Sequence, residues 1–190
     1  MIKKIGAITI TVMLGWAGYV YAPDKQGLVI HHQGPMVSKE RVDTFNEAKA
    51  FNVGICNYTS EKFSEYGGGC SYKFLVCGDW IFQNQQENIK SIHVRGYNTV
   101  SDGIMVVYTD DESFNKRTAY TARNLIIELD KINDYDFCLY HSDLDPSRRT
   151  DPGVFRPWFD AMGCRWDGRS FPRRIEKSLP EPRYHKWVRI

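Results

Sequence analysis

The sequence reads as an α/β domain, a central mixed β-sheet flanked by helices, on three observations. Short apolar runs of strand length recur at 28–31, 72–76, 80–83, 103–108 and 136–140. Two intervening stretches carry apolar residues at helical spacing: Val42, Phe45 and Ala48 in 39–52, and Ala119, Ala122, Leu125, Ile126, Leu129 and Ile132 in 117–133. Cys77-Gly78-Asp79 forms a hairpin-like turn between two of the runs, so at least one strand pair is antiparallel. With 190 residues, 42% hydrophobic and 14% aromatic, the chain has material for one domain with a sizeable core.

Residues 5–22 are apolar, follow Lys3 and Lys4, and meet no charge before Asp24. They read as a signal peptide ending near Ala22, or as an N-terminal membrane anchor close to the minimum length of a span. A buried first helix or strand is the remaining alternative. Either leading reading leaves 23–190 as a periplasmic or secreted domain, membrane-associated in the anchored case. The formal charge is +2 and Lys3 and Lys4 account for it. The remainder is near neutral and has no helix-turn-helix or zinc-finger spacing, which excludes nucleic-acid binding.

Ser38 is a fair cap for a helix over 39–52. The polar stretch 53–71, with Gly67-Gly68-Gly69, reads as a long loop rimming a cleft. An oxidising compartment would permit a bridge between its Cys56 and Cys70, but five cysteines leave the pairing open. Cys77 and Cys138, in apolar runs, read as buried. A short helix over 155–162 has Pro157 early in it. The rest, 165–190, reads as a loop-like tail with eight Lys or Arg against three Asp or Glu. Its charge suits a solvated face or contact with an anionic envelope polymer.

Reactive side chains concentrate at two strand ends. His31 closes the run 28–31. His141 follows 137–140 and opens H-S-D-L-D-P-S-R-R-T-D-P-G, in which Asp151 comes ten residues later. Two imidazoles and a carboxylate fill three positions around zinc and leave one open, the pattern of a catalytic ion. The spacing is not a contiguous zinc motif, and a His closing a buried strand also serves as a packed or hydrogen-bonded residue. Pro152 restricts Asp151 to extended backbone.

These segments, with S-Y-K-F-L-V at 71–76, H-V-R-G-Y-N at 93–98 and Gly103-Ile104, resemble the zinc-dependent N-acetylmuramoyl-L-alanine amidases and the peptidoglycan recognition proteins of the same fold. The middle segments are similar to the small phage amidases. The matches run in order over roughly residues 28–163 and leave the basic tail uncovered. The resemblance implies a monomer acting on peptidoglycan, cutting the amide between N-acetylmuramic acid and the L-alanine of the stem peptide, with Zn2+ held by His31, His141 and Asp151.

It further implies that Tyr72 orients or protonates the substrate. Arg149 stands where relatives carry a lysine near the developing oxyanion; it keeps the charge but is a poor proton donor. His93 is implied to contact substrate or support the transition state, and Tyr97 and Asn98 to touch the sugar or stem peptide. Asp143 is implied to bond a ligand histidine or the local turn. Met105 departs from the glutamate of many bacterial relatives, which favours the phage-like branch. The alternative within the same fold is a protein that binds muropeptides without cutting them. A lysis enzyme, a wall-remodelling enzyme and an exported toxin would share this chemistry.

Overall fold

In the computed structural model of the chain, the described residues are 26–34, 37–66, 69–84, 92–168 and 186–189. The expected leader or anchor over 1–22, residues 85–91 of the stretch after the run 80–83, and 169–185 of the basic tail lie outside them. The strands are β1 (Gly27–His32), β2 (Phe74–Cys77), β3 (Trp80–Gln83), β4 (Ser101–Val106), β5 (Phe137–Tyr140) and β6 (Lys186–Arg189). They form one sheet in the order β5-β1-β4-β2-β3-β6. Only β2 and β3 pair antiparallel, across the Gly78-Asp79 turn; the other neighbours are parallel. Gly78 has φ +59°, the left-handed backbone that a tight hairpin with glycine at its first central position requires.

Helices cover both faces, which is why the strands read as continuous apolar runs and not as alternating ones. Leu28, Ile30, Phe74, Val76, Ile104 and Val106 pack with Ala119, Ala122, Leu125, Ile126 and Leu129 of helix α2 (Glu112–Asn133). On the opposite face, Leu75, Cys77, Met105 and Val107 pack with Val42 and with Ala48 of helix α1 (Phe45–Lys62). The fold is thus the expected mixed sheet flanked by helices.

Several boundaries differ from expectation. Helix α1 starts six residues after 39, because Thr44 and Glu47 form a capping box: Thr44 Oγ1 accepts from the Glu47 N–H at 3.3 Å and Glu47 Oε2 from the Thr44 N–H at 2.8 Å. Residues 39–41 make a single 3-10 turn instead. At its other end α1 runs to Lys62, so 53–62 is helix and not loop. Two of the three buried positions of α1 are Asn52 and Thr59, and this polar inner side hides the helix from a search for apolar periodicity. Asn52 is satisfied by a reciprocal amide pair with Asn84 at 2.8 and 3.2 Å.

Helix α2 begins earlier than 117 because Asp111 caps it, accepting from the Ser113 N–H at 2.8 Å. Ile132 is 50% exposed and leaves the packed face. The tail is not wholly loop-like: β6 pairs with β3, whose outer edge would otherwise present unpaired backbone groups. Among the described residues no helix is long and apolar enough to cross a membrane.

Cys56 and Cys70 are bridged, and Cys77, Cys138 and Cys164 are buried thiols. The bridge joins α1 to the segment entering β2, next to a bond from the Ser71 N–H to Thr59 Oγ1 at 3.1 Å. Closing a loop of 14 residues is worth about 3 kcal/mol in the chain-entropy account. Cys56→Ser with Cys70→Ser is therefore expected to lower unfolding free energy by about that amount in urea titrations. An unchanged midpoint would show that the bridge does not constrain the unfolded chain.

Candidate metal centre

Strand register places the histidines together. Parallel β1 and β5 pair Ile30 with Tyr140, so the next residue on each strand, His31 and His141, emerges at the same carboxyl end of the sheet. His141 opens a single helical turn, α3 (His141–Leu144). The chain then turns through Pro146–Arg148, where Asp145 accepts from the Ser147 N–H at 2.9 Å, and folds back so that the Ser142 N–H donates to the Asp151 carbonyl at 3.2 Å. Asp151 precedes a cis peptide bond to Pro152. Gly153, at φ +60°, lies so close to His32 that an added Cβ would meet that ring at 3.1 Å.

The three expected ligands converge. His31 Nδ1 lies 3.0 Å from His141 Nδ1 and 3.7 Å from Asp151 Oδ2, and His141 Nδ1 lies 2.9 Å from the same oxygen. A tetrahedral zinc ion with bonds of about 2.0–2.1 Å has ligand edges of about 3.3 Å, so this triangle fits one. All three side chains are buried. The second Asp151 oxygen, Oδ1, accepts from the backbone N–H of His32 at 2.7 Å, which fixes the carboxylate.

Burial lowers the pKa of His31 against the opposing pull of Asp151, so the imidazole stays neutral. Burial works against the charged form of Asp151 too, but the hydrogen bond from His141 and the nearness of the His31 and His32 rings outweigh it and hold the carboxyl well below its usual range. A neutral imidazole beside an ionised carboxylate is the state that binds a metal. Burial also lowers the pKa of His32.

A cleft of about 790 Å³ opens over the cluster. Its floor includes His93, Met105, His141 and Asp151. One wall is a face of α1, with Phe51, Ile55, Tyr58, Thr59 and Lys62. Tyr72 lines it too, its ring 5.1 Å from that of His31, and burial pushes its phenol up to about 12. Met105 pairs in register with His31 across β1 and β4, which puts the departure from glutamate beside the ligand.

Tyr72 and His93 lie against the three expected ligands, Asp143 takes the local-turn alternative, and Arg149, Tyr97 and Asn98 are directed elsewhere. Arg148 and Arg149 are both exposed, and it is Arg148 that lines the cleft. Asp143 bonds the local turn: it accepts from the Tyr140 N–H at 2.9 Å and from Arg165 Nε at 2.9 Å. Asn98 accepts from the N–H groups of His93 and Val94 at 2.9 and 2.8 Å. The Tyr97 ring packs edge-on against Phe137. Arg41, Lys62 and Arg148, cations on the cleft wall, escaped the sequence reading; the Asp-Pro-Ser turn signal was the available pointer to Arg148.

The neutral state of His31 sets a pH dependence. Below about 6.5 the unfolded chain protonates this imidazole while the folded chain does not, so stability rises with pH there. The contribution is complete above about pH 6.5 and is lost as pH falls from there through the lowered folded value. Asp151 adds a second loss, beginning below about pH 3.9. In chelator-treated protein the urea midpoint should fall between about pH 7 and pH 5, and less steeply in His31→Gln. Equal slopes in the two proteins would contradict a neutral His31.

No family model matches the chain, and no curated protein matches it by sequence. Solved structures do match. Drosophila PGRP-LB aligns at TM-score 0.61 and 19% identity, covering 77% of this chain and 85% of that one. PGRP-SA of Apis mellifera aligns at 0.59 and 16%, covering 87% and 86%. The N-acetylmuramoyl-L-alanine amidase LysC from Clostridium intestinale aligns at 0.51 and 17%, covering 73% and 85%. At these identities the likeness is one of fold: the chain has the α/β architecture of the peptidoglycan recognition proteins and of this amidase.

Proposed function

We propose that the protein is a zinc-dependent amide hydrolase that cuts the bond between N-acetylmuramic acid and L-alanine in peptidoglycan, in the manner of the small phage amidases. The observation that carries this is the buried triangle of His31, His141 and Asp151, with edges suited to tetrahedral zinc, at the floor of a cleft of about 790 Å³. When bound, zinc would lower the pKa of a water in its open position towards about 7 and polarise the amide carbonyl.

The chain's own groups supply the rest. Tyr72, kept as a phenol by burial, donates a hydrogen bond where negative charge develops and hands a proton to the departing amine. Arg148 supplies positive charge from the cleft wall, with Arg149 beside it in sequence. The wall of α1 offers apolar and aromatic surface to the stem peptide. The segment 1–22, as leader or membrane anchor, delivers the domain to the periplasm or outside the cell, and the Cys56–Cys70 bridge suits that oxidising compartment. Binding of muropeptides without cleavage is the second reading, favoured by Met105, which cannot take a proton where it faces His31.

Incubation of the full chain with purified peptidoglycan should release stem peptides with a free L-alanine amine, seen by mass analysis. Chelation should abolish the release and added zinc restore it. His141→Ala should lose both zinc and turnover, whereas Arg148→Ala should keep zinc and lose about 10²-fold in kcat. Binding without any release would move the protein to the recognition class. A fully active His141→Ala would remove the proposed centre altogether.

A further inference from the structure

Only one tautomer of His31 can serve the centre. Its Nδ1 points at His141 and Asp151, so that nitrogen must present a lone pair and the proton must sit on Nε2. Nε2 lies 3.0 Å from Nδ1 of His93. The other nitrogen of His93, Nε2, lies 3.1 Å from the backbone carbonyl of Ser101. A carbonyl oxygen only accepts, so His93 carries its proton on Nε2 and offers a lone pair on Nδ1. That lone pair accepts from His31 Nε2–H. The Ser101 hydroxyl, 3.4 Å from the same His93 nitrogen, donates to the Tyr97 carbonyl at 2.8 Å and does not reverse the order.

The backbone around His93 is built to hold this pose. Asn98 Oδ1 takes the N–H groups of both His93 and Val94. Gly103 leaves room for the ring, because a Cβ there would lie 3.0 Å from His93 Cγ. The rings of His93 and His31 meet edge to face, 5.1 Å apart at 88°.

We propose that His93 is a positioning residue: the fixed carbonyl of Ser101, read through His93, orders the proton of His31 onto Nε2 and keeps Nδ1 free to bind metal. This assigns Asn98 and Gly103 to the support of the relay. It rests on the zinc reading of His31, yet its first consequence is visible without zinc.

Long-range nitrogen–proton spectra of the chelated full chain with labelled histidines, assigned by substitution, should show His31 protonated on Nε2. In His93→Leu the acceptor is gone. His31 should then lose that preference, and zinc affinity measured by chelator competition should fall about 10- to 100-fold. His93→Asn, whose Oδ1 takes the place of Nδ1, should recover most of the loss, although a purely structural role would leave both variants alike. A wild-type His31 protonated on Nδ1, or unchanged zinc affinity in His93→Leu, would overturn the relay. A chain that shows the Nε2–H tautomer but binds no zinc would keep the relay and end the metal reading instead.

Discussion

The parallel pairing of β1 with β5 is the constraint on which the centre depends. It sets Ile30 against Tyr140 and thereby makes His31 and His141 neighbours, although 110 residues separate them in sequence. Because side chains alternate along a strand, a slip of one residue in β1 would turn His31 and Val29 towards α2 and carry Leu28 and Ile30 out of that core. Core and site are therefore specified by the same register. The apolar residues that fix the strand are Leu28 and Ile30 on one face, and Val29 and His31 share the other.

The loop that brings Asp151 back is fixed by local polar chemistry, with little apolar packing. Asp145 caps one turn, Asp143 caps another and holds Arg165, and the His32 N–H donates to one oxygen of Asp151. Asp143 also lies 3.5 Å from Arg156, and the two arginines flank the Tyr140 ring at 5.2 and 5.0 Å. This cluster ties the segments before and after the loop to β5. It explains why so polar a stretch can deliver a ligand with the accuracy that metal binding needs.

Strands β1 to β5 and the convergence of His31, His141 and Asp151 were legible in the sequence because strand-end histidines and a Pro-fixed aspartate are local signals. Helix α1 was misread because its inner side carries Asn52 and Thr59, whose burial depends on Asn84 and Ser71, far from it in sequence. The Thr44-to-Glu47 box was readable, and it marks the start correctly. Strand β6 has four residues and exists through its partner's edge, which no local pattern encodes. The placement of Arg148 over Arg149 is a matter of turn phase. The roles of His93 and Asn98 depend on a backbone carbonyl, a group every residue possesses and no sequence distinguishes.

The division of labour within the Asp151 carboxylate has a consequence for how crowded the centre can become. One oxygen is committed to the amide of His32, so the side chain offers a single point of attachment, not a chelating pair. An ion held by three single-point donors would keep the largest share of its surface open to incoming groups. Under the proposed function, a substrate carbonyl and a water would then reach such an ion from the cleft side without first displacing the protein. The amide of His32 thus sets the capacity of the site, and a side-chain substitution at that position would leave this bond in place.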